Sequence, residues 1–290
     1  MNEITNNNKW LVVGASVIGK SHIADDVPCQ DSHLYKLLEN GWGIAVVADG
    51  AGSAVNSDKG SDFVVKASVK AFSQLLQKEL WHINQTLPSE VAWSIAARET
   101  LKEVRAALDF FAEENEWEVS SLASTVIVVI FSPIGILVTH IGDGRAAFQE
   151  KESKEWHPAM IPHKGTEANQ TVFITSAIWQ EEELELSGVK VPESRVIPIS
   201  PLSFALLSDG CEKHSFECSR FNDDLQKWSD PNQPFTKFFS PLTSNLSSAI
   251  EHNASVEDIE VKWESFLKGG TKGLKQEGDD KTMILGVFCP

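Results

Sequence analysis

The chain has 290 residues, enough for one large domain or two small ones. Apolar residues make up 42% of it, which builds a globular core and excludes a disordered chain. A net charge of −16 with no basic stretch excludes a nucleic-acid partner, although bound divalent cations would still admit a phosphorylated substrate.

Cys29, Cys211, Cys218 and Cys289 show no C-x-x-C pairing and no zinc spacing, which fits a reducing compartment. Residues 1–9 read as a polar arm without an apolar signal core, and no run approaches the ~20 apolar residues of a membrane span. The expectation is a cytoplasmic monomer with no membrane partner. Trp10–Ala15 reads as a first strand. It runs into Gly14-Ala15-Ser16-Val17-Ile18-Gly19-Lys20-Ser21, a letter-for-letter match to the P-loop pattern G-x-x-x-x-G-K-[ST]. A working P-loop opens a helix whose N-terminus holds phosphate. Here Asp25, Asp26 and Pro28 follow, and no amphipathic helix intervenes before Gln30-Asp31, so nucleotide binding is the lesser alternative.

Ile44–Ala48 is a short continuous apolar run and reads as a buried strand ending at Asp49, with Gly50, Ala51 and Gly52 behind it. Ser57–Trp81 carries Val64, Ala67, Ala71 and Leu75 at helical spacing. Pro88–Glu114 does the same with Ile95, Leu101, Val104, Leu108 and Phe111. Ser124–Phe131, Ile136–Gly142 and Arg145–Phe148 read as an antiparallel meander turning at Pro133 and Gly135. Residues 150–195 read as an inserted flap with one strand at Thr171–Thr175; the acids Glu181–Glu185 read as a solvated face. Arg195–Ile199 and Ser203–Ser208 are strands, and residues 219–268 are mostly helical with Trp228 and Trp263 as anchors. A Gly/Lys-rich loop, Gly269–Gly278, delivers Asp279 to the last strand, Met283–Phe288.

Adjacent strands without crossover helices pair antiparallel and leave the helices to cover the outer faces. The expected fold is α+β: a four-layer α/β/β/α sandwich of two antiparallel sheets flanked by helices, in a single domain over 1–290. Asp49, Asp143, Asp209 and Asp279 each stand at one end of an apolar strand. Asp-Gly alone is an ordinary turn dipeptide. Four such ends point to a polynuclear metal site, because a buried strand-end Asp without a partner is costly.

Six motifs then align in order: Cys29-Gln30-Asp31, Val47-Ala48-Asp49-Gly50-Ala51-Gly52, Ala123-Ser124-Thr125, Ile141-Gly142-Asp143-Gly144-Arg145, Leu207-Ser208-Asp209-Gly210 and Asp279-Asp280-Lys281-Thr282. Over about 250 residues they make the sequence resemble the metal-dependent Ser/Thr protein phosphatases of type 2C, small bacterial branch. The resemblance implies a centre of two, or three, Mn²⁺ or Mg²⁺ ions, with a water activated between two of them for attack on phosphoserine or phosphothreonine. By position Asp49 bridges both ions, the Gly50 carbonyl serves one, and Asp209 and Asp279 the other. Asp31 lies nearby, and Asp143 with Asp209 matches a third, weaker site. The implied partner is a phosphorylated protein made by a Ser/Thr kinase.

Two positions depart from the family. Asp26 stands where the phosphate-binding Arg is usual, and Ala51 where a His, a proton donor, is usual. Lys20 and His22, just upstream, are the candidates to supply the missing cation and acid. The departures also motivate an alternative, a catalytically weak regulatory member that binds metal and a phosphorylated partner. Asp280 reads as a capping acid, Arg145 as the partner of a carboxylate, and Thr125 as close strand packing.

Overall fold

The computed structural model describes residues 10–164, 171–180, 184–186, 188–222, 226–252 and 254–289. The arm at 1–9 and the acids 181–183 lie outside them. We number the strands of the two main sheets and the helices that matter below. In chain order they are β1 (Trp10–Val17), α1 (Lys20–Asp25), β2 (Asp31–Leu37), β3 (Gly43–Asp49), α2 (Ser57–Glu79), α3 (Glu90–Glu114), β4 (Val126–Ser132), β5 (Gly135–Ile141), β6 (Arg145–Glu150), β7 (Trp156–Pro158), β8 (Glu193–Ile197), β9 (Pro201–Leu207), α4 (Thr236–Glu251), α5 (Val256–Gly269) and β10 (Lys281–Phe288).

One antiparallel sheet runs β1-β10-β9-β6-β7 and the other β8-β5-β4-β3-β2. The strands read as unbroken apolar runs because both faces of each sheet are covered. Ile44, Val46 and Ala48 of β3 turn toward α2 and α3, whose faces bring Phe72, Trp93, Leu101 and Leu108. Ala45 and Val47 turn the other way, into the layer between the sheets. Leu207, Met283 and Leu285 meet Phe239 of α4 and Trp263 of α5 on the far side. The result is the expected four-layer sandwich.

Between the sheets Trp10, Phe131, Phe204 and Phe288 form an aromatic cluster. Phe131 stacks on Phe204 at 4.4 Å between ring centroids. Trp10 meets Phe131 and Phe288 edge-on, each at 5.2 Å. Gly43 and Gly286 leave room for these rings: a Cβ at either would strike Phe131 or Phe204.

Several local expectations are corrected. The strand Arg145–Phe148 does not continue the meander. After β5 the chain crosses at Gly142–Gly144 to the other sheet, where β6 pairs with β9. Gly142 takes φ +118°, which a side chain rarely allows, and a Cβ there would meet Thr125 Cβ at 2.5 Å. Thr171–Thr175 is not a strand: the Ile174 amide donates to the Ser124 carbonyl at 2.9 Å. Its carbonyl accepts from Arg105 Nη1 at 2.9 Å and Trp179 Nε1 at 2.8 Å, so no ladder partner is left for it. Ile174 and Ile178 pack into the core beside α3, so this part of the insertion is docked. Ile95 is 62% exposed; Trp93 and Ala97 hold the buried face instead. Trp228 is 67% exposed and anchors nothing, whereas Trp263 is buried with Nε1–H donating to the Met283 carbonyl at 3.1 Å.

Candidate metal centre

Register brings the five carboxylates together. Asp31, first in β2, lies opposite Asp49, last in β3. Val126 pairs with Ile141, and Leu207 with both Met283 and Arg145, so these strand ends share one edge of the sandwich. Asp143, Asp209 and Asp279 stand within two to four residues of those pairs.

The backbone at Asp49 is clamped. Its N–H donates to Thr125 Oγ1 at 3.0 Å and its carbonyl accepts the Thr125 N–H at 2.8 Å. Thr125 thus does more than let strands pack closely. At Gly50 a Cβ would lie 2.6 Å from the Gln30 carbonyl and 2.8 Å from that of Ser57, so only glycine fits. Asp31 Oδ2 accepts from Ser208 Oγ at 2.7 Å, and Ser208 Oγ accepts from the Thr282 N–H at 3.1 Å. We expect Thr125→Val, which keeps the shape and removes the hydroxyl, to cost about 1–3 kcal/mol by stranding the Asp49 N–H. Denaturant midpoints measure this.

Electrostatically the acids are strained. Burial drives the Asp49 carboxyl well above the usual range, and Asp31, Asp209, Asp279 and Asp143 push it further. Asp209 is pushed up to about 7 by burial, then by Asp143 and Asp279, with a hydrogen bond to Asp49 acting against this. Asp31 rises to about 8 through burial and the charges of Asp280 and Asp209, opposed by Ser208 and Thr282. Burial also raises Asp143. Asp209 Oδ1 is buried and, among the described residues, has no hydrogen-bond partner. Among the described residues no ion pair neutralises Asp31, Asp49, Asp209 or Asp279.

No three His, Cys, Asp or Glu side chains among the described residues close around one point as a finished ligand shell. Hard divalent cations do not need that: they complete their shells with water and take as few as one or two carboxylates each. An all-oxygen, uncompensated, mutually repelling cluster fits such ions. A stability consequence follows. The folded acids hold protons that unfolded carboxyls release near pH 4, so the metal-free fold loses stability as pH rises from about 4 to about 8. We expect the Tm of chelated protein to fall between pH 5 and pH 8, and Mn²⁺ to raise Tm more at pH 8 than at pH 5. A flat or rising chelated Tm contradicts this.

Lys20 and His22 lie outside the acid cluster, on α1. The N–H of Gly19 donates to Asp280 Oδ1 at 2.7 Å, that of Lys20 to the Glu277 carbonyl at 3.1 Å and that of Ser21 to the Gly278 carbonyl at 2.9 Å. These amides are the ones a P-loop offers to phosphate, and all three are spent on protein acceptors, which removes the nucleotide reading. His22 Nδ1 stands 2.9 Å from Asp280 Oδ1. Lys20 is exposed. Asp280 is buried, its Oδ2 accepting the Gln30 N–H at 2.6 Å, so it ties α1 and the start of β2 to the Asp279 turn.

Arg145 pairs with carboxylates as expected, though sequence reasoning did not identify which ones. That side chain is fully buried, with Nε donating to Glu212 Oε2 at 3.0 Å and Nη2 to Asp230 Oδ2 at 2.6 Å. Lys164 Nζ reaches Glu212 Oε2 at 3.1 Å. Glu212 in turn raises both Asp143 and Asp209. Glu212 lies three residues past Asp209 and was findable; nothing local marks Asp230, 85 positions from Arg145.

Known proteins agree with this architecture. The chain is 26% identical to serine/threonine-protein phosphatase 3 of Escherichia coli K12 over 289 residues, covering 97% of this chain and 99% of that one. It superposes on a Staphylococcus aureus serine/threonine phosphatase with TM-score 0.57 at 13% identity, covering 99% and 98% of the two chains. For an S. agalactiae serine/threonine phosphatase the TM-score is 0.55 at 11% identity, with 96% and 99% covered. The profile of the protein phosphatase 2C family matches residues 18–259. The chain belongs to the protein phosphatase 2C family, whose members depend on metal ions, and is a protein serine/threonine phosphatase.

Proposed function

We propose that Asp49, the Gly50 carbonyl, Asp209 and Asp279 hold two Mn²⁺ or Mg²⁺ ions, with Asp31 beside them and Asp143 joining Asp209 at a third site. The observation that carries this reading is the buried, unpartnered Oδ1 of Asp209 among carboxylates that raise one another. Bound there, the ions supply an activated water and neutralise charge on the phosphoryl oxygens. The chain's own residues do the rest. Ser208 and Thr282 hold Asp31 in orientation. Thr125 fixes the backbone at Asp49. Lys20 extends its ammonium to the phosphoryl group, in place of the absent Arg. His22, whose Nδ1 stands 2.9 Å from Asp280 Oδ1, gives a proton to the leaving alkoxide oxygen, in place of the absent His.

The substrate is a phosphoserine or phosphothreonine protein produced by a Ser/Thr kinase, and the enzyme acts as a cytoplasmic monomer. Four free cysteines support the compartment, and among the described residues no helix is long and apolar enough to cross a membrane. The test is hydrolysis of a phosphothreonine and a phosphotyrosine peptide with Mn²⁺, with Mg²⁺ and with chelator. Turnover of the first alone, lost on chelation, is expected. Lys20→Ala should raise KM about tenfold, and His22→Ala should lower kcat about 10²-fold. Near-normal constants in both remove their roles.

A further inference from the structure

Gly142, the residue before Asp143, spends both of its backbone groups on one residue of the insertion, His163. Its N–H donates to His163 Nδ1 at 3.2 Å, and its carbonyl accepts the His163 N–H at 2.9 Å. The other ring nitrogen, Nε2, lies 2.8 Å from the Lys190 carbonyl. A carbonyl only accepts, so Nε2 carries the proton and Nδ1 is the acceptor. The ring is fully buried and stacks on His140 of β5 at 4.2 Å and 18°. The His163 carbonyl accepts from Thr171 Oγ1 at 2.9 Å, and the Thr171 side chain also lies beside the Asp143 carboxyl.

These contacts meet at a crossover between the end of β5 at Ile141 and the start of β6 at Arg145. Gly142 has a φ of +118°, and the chain there is passing from one sheet to the other. Lys190 belongs to the short hairpin strand Val189–Val191, paired with Leu184–Leu186. One neutral imidazole therefore joins the turn that presents Asp143 to a hairpin of the inserted segment.

We propose that His163 is a positioning residue. In its Nε2–H form it fixes the Asp143 carboxylate for the third metal ion and couples that ion's affinity to the placement of the paired strands Leu184–Leu186 and Val189–Val191. This rests on the reading of Asp143 as a ligand. His163 itself touches neither substrate nor ion. A slack Gly142–Asp143 turn leaves the two ions on Asp49 in place and weakens the third.

The experiment is calorimetric titration of chelated protein with Mn²⁺ for wild type, Asp143→Ala, His163→Phe, His163→Asn and the Asp143→Ala/His163→Phe double variant. Phe keeps the ring on His140 and loses both hydrogen bonds; Asn keeps an acceptor for the Gly142 N–H and loses the Lys190 link. Thermal melts confirm folding, and if His163→Phe does not fold, His163→Asn carries the test. The expected result is that His163→Phe weakens the last Mn²⁺ equivalent at least tenfold, leaves the tighter ones unchanged, and that His163→Asn recovers part of the loss. The double variant should bind no worse than Asp143→Ala alone, since both changes act through one carboxylate. In turnover of p-nitrophenyl phosphate, His163→Phe should need more Mn²⁺ for half-maximal kcat, at unchanged KM for the ester. Wild-type Mn²⁺ binding in both His163 variants, with Asp143→Ala defective, overturns the positioning role and leaves the metal assignment standing. Wild-type binding in Asp143→Ala removes the ligand reading and the inference with it. An additive double variant also overturns it.

Discussion

Asp209→Asn lowers Mn²⁺-dependent turnover of p-nitrophenyl phosphate and of a phosphothreonine peptide by about 10³-fold or more, some 4 kcal/mol at the transition state. Three observations on Asp209 combine. It lies against the Asp49 carboxyl, it is raised by burial and then by Asp143 and Asp279, and among the described residues its Oδ1 has no hydrogen-bond partner. The amide removes one negative charge from a cluster whose surplus of negative charge is what attracts the cations. It also puts an N–H₂ where an acceptor is needed. The same substitution should raise the Tm of chelated protein at pH 8, because a repelling buried charge is gone, and diminish the rise produced by Mn²⁺. That pairing of opposite effects separates a ligand from a structural residue, whose loss lowers both. A variant that keeps wild-type turnover, or that melts lower with chelator, contradicts the assignment of Asp209.

Arg145→Ala destabilises the fold by about 3–5 kcal/mol, the range for removing one partner of a buried ion pair. At roughly 2–4 °C per kcal/mol for a chain this large, Tm falls by about 10 °C. Arg145 serves Glu212, Asp230 and Asn232 together, and its guanidinium lies 5.3 Å from the centroid of the Phe216 ring. Without it Glu212 keeps, among the described residues, only Lys164, at 3.1 Å, and its charge bears harder on Asp143 and Asp209. Arg145→Lys should rescue little, since a single ammonium does not reproduce the forked contacts. Melting with and without Mn²⁺ measures both consequences, and a Tm within 2 °C of wild type for Arg145→Ala would show the network to be dispensable.

What was legible in the sequence follows from the range of the forces involved. Ile44–Ala48 and Met283–Phe288 announce themselves as buried strands because each is covered on two faces, and the Asp residues at their ends stand out against them. Pairing between sheets does not announce itself. Arg145–Phe148 follows β5 after three residues and looks like its hairpin partner. Only the conformation of Gly142, fixed by Thr125 and His163 from elsewhere in the chain, sends it to the other sheet. Ile174 has the composition of a strand, but side chains from α3 and from Trp179 take its carbonyl. Trp228 looked like an anchor by residue type, yet it is exposed on a two-stranded hairpin, its ring against Phe221. The acids of the site were readable one by one; the hydroxyls that support Asp49 and Asp31, those of Thr125 and Ser208, come from 76 and 177 positions away and leave no local mark.

The aromatic cluster between the sheets lies away from the acids: Phe131 pairs with Gly43 at the start of β3, whereas Asp49 ends that strand. Each sheet contributes some of the carboxylates, Asp31 and Asp49 from one, Asp209 and Asp279 from the other, so the distance between the sheets is also the distance between the two halves of the acid cluster. Trp10, Phe131, Phe204 and Phe288 fill the layer between those sheets at the other end of the strands. Trimming one of these rings is therefore expected to be felt at the acids, through sheet spacing, although none of the four rings lies among them.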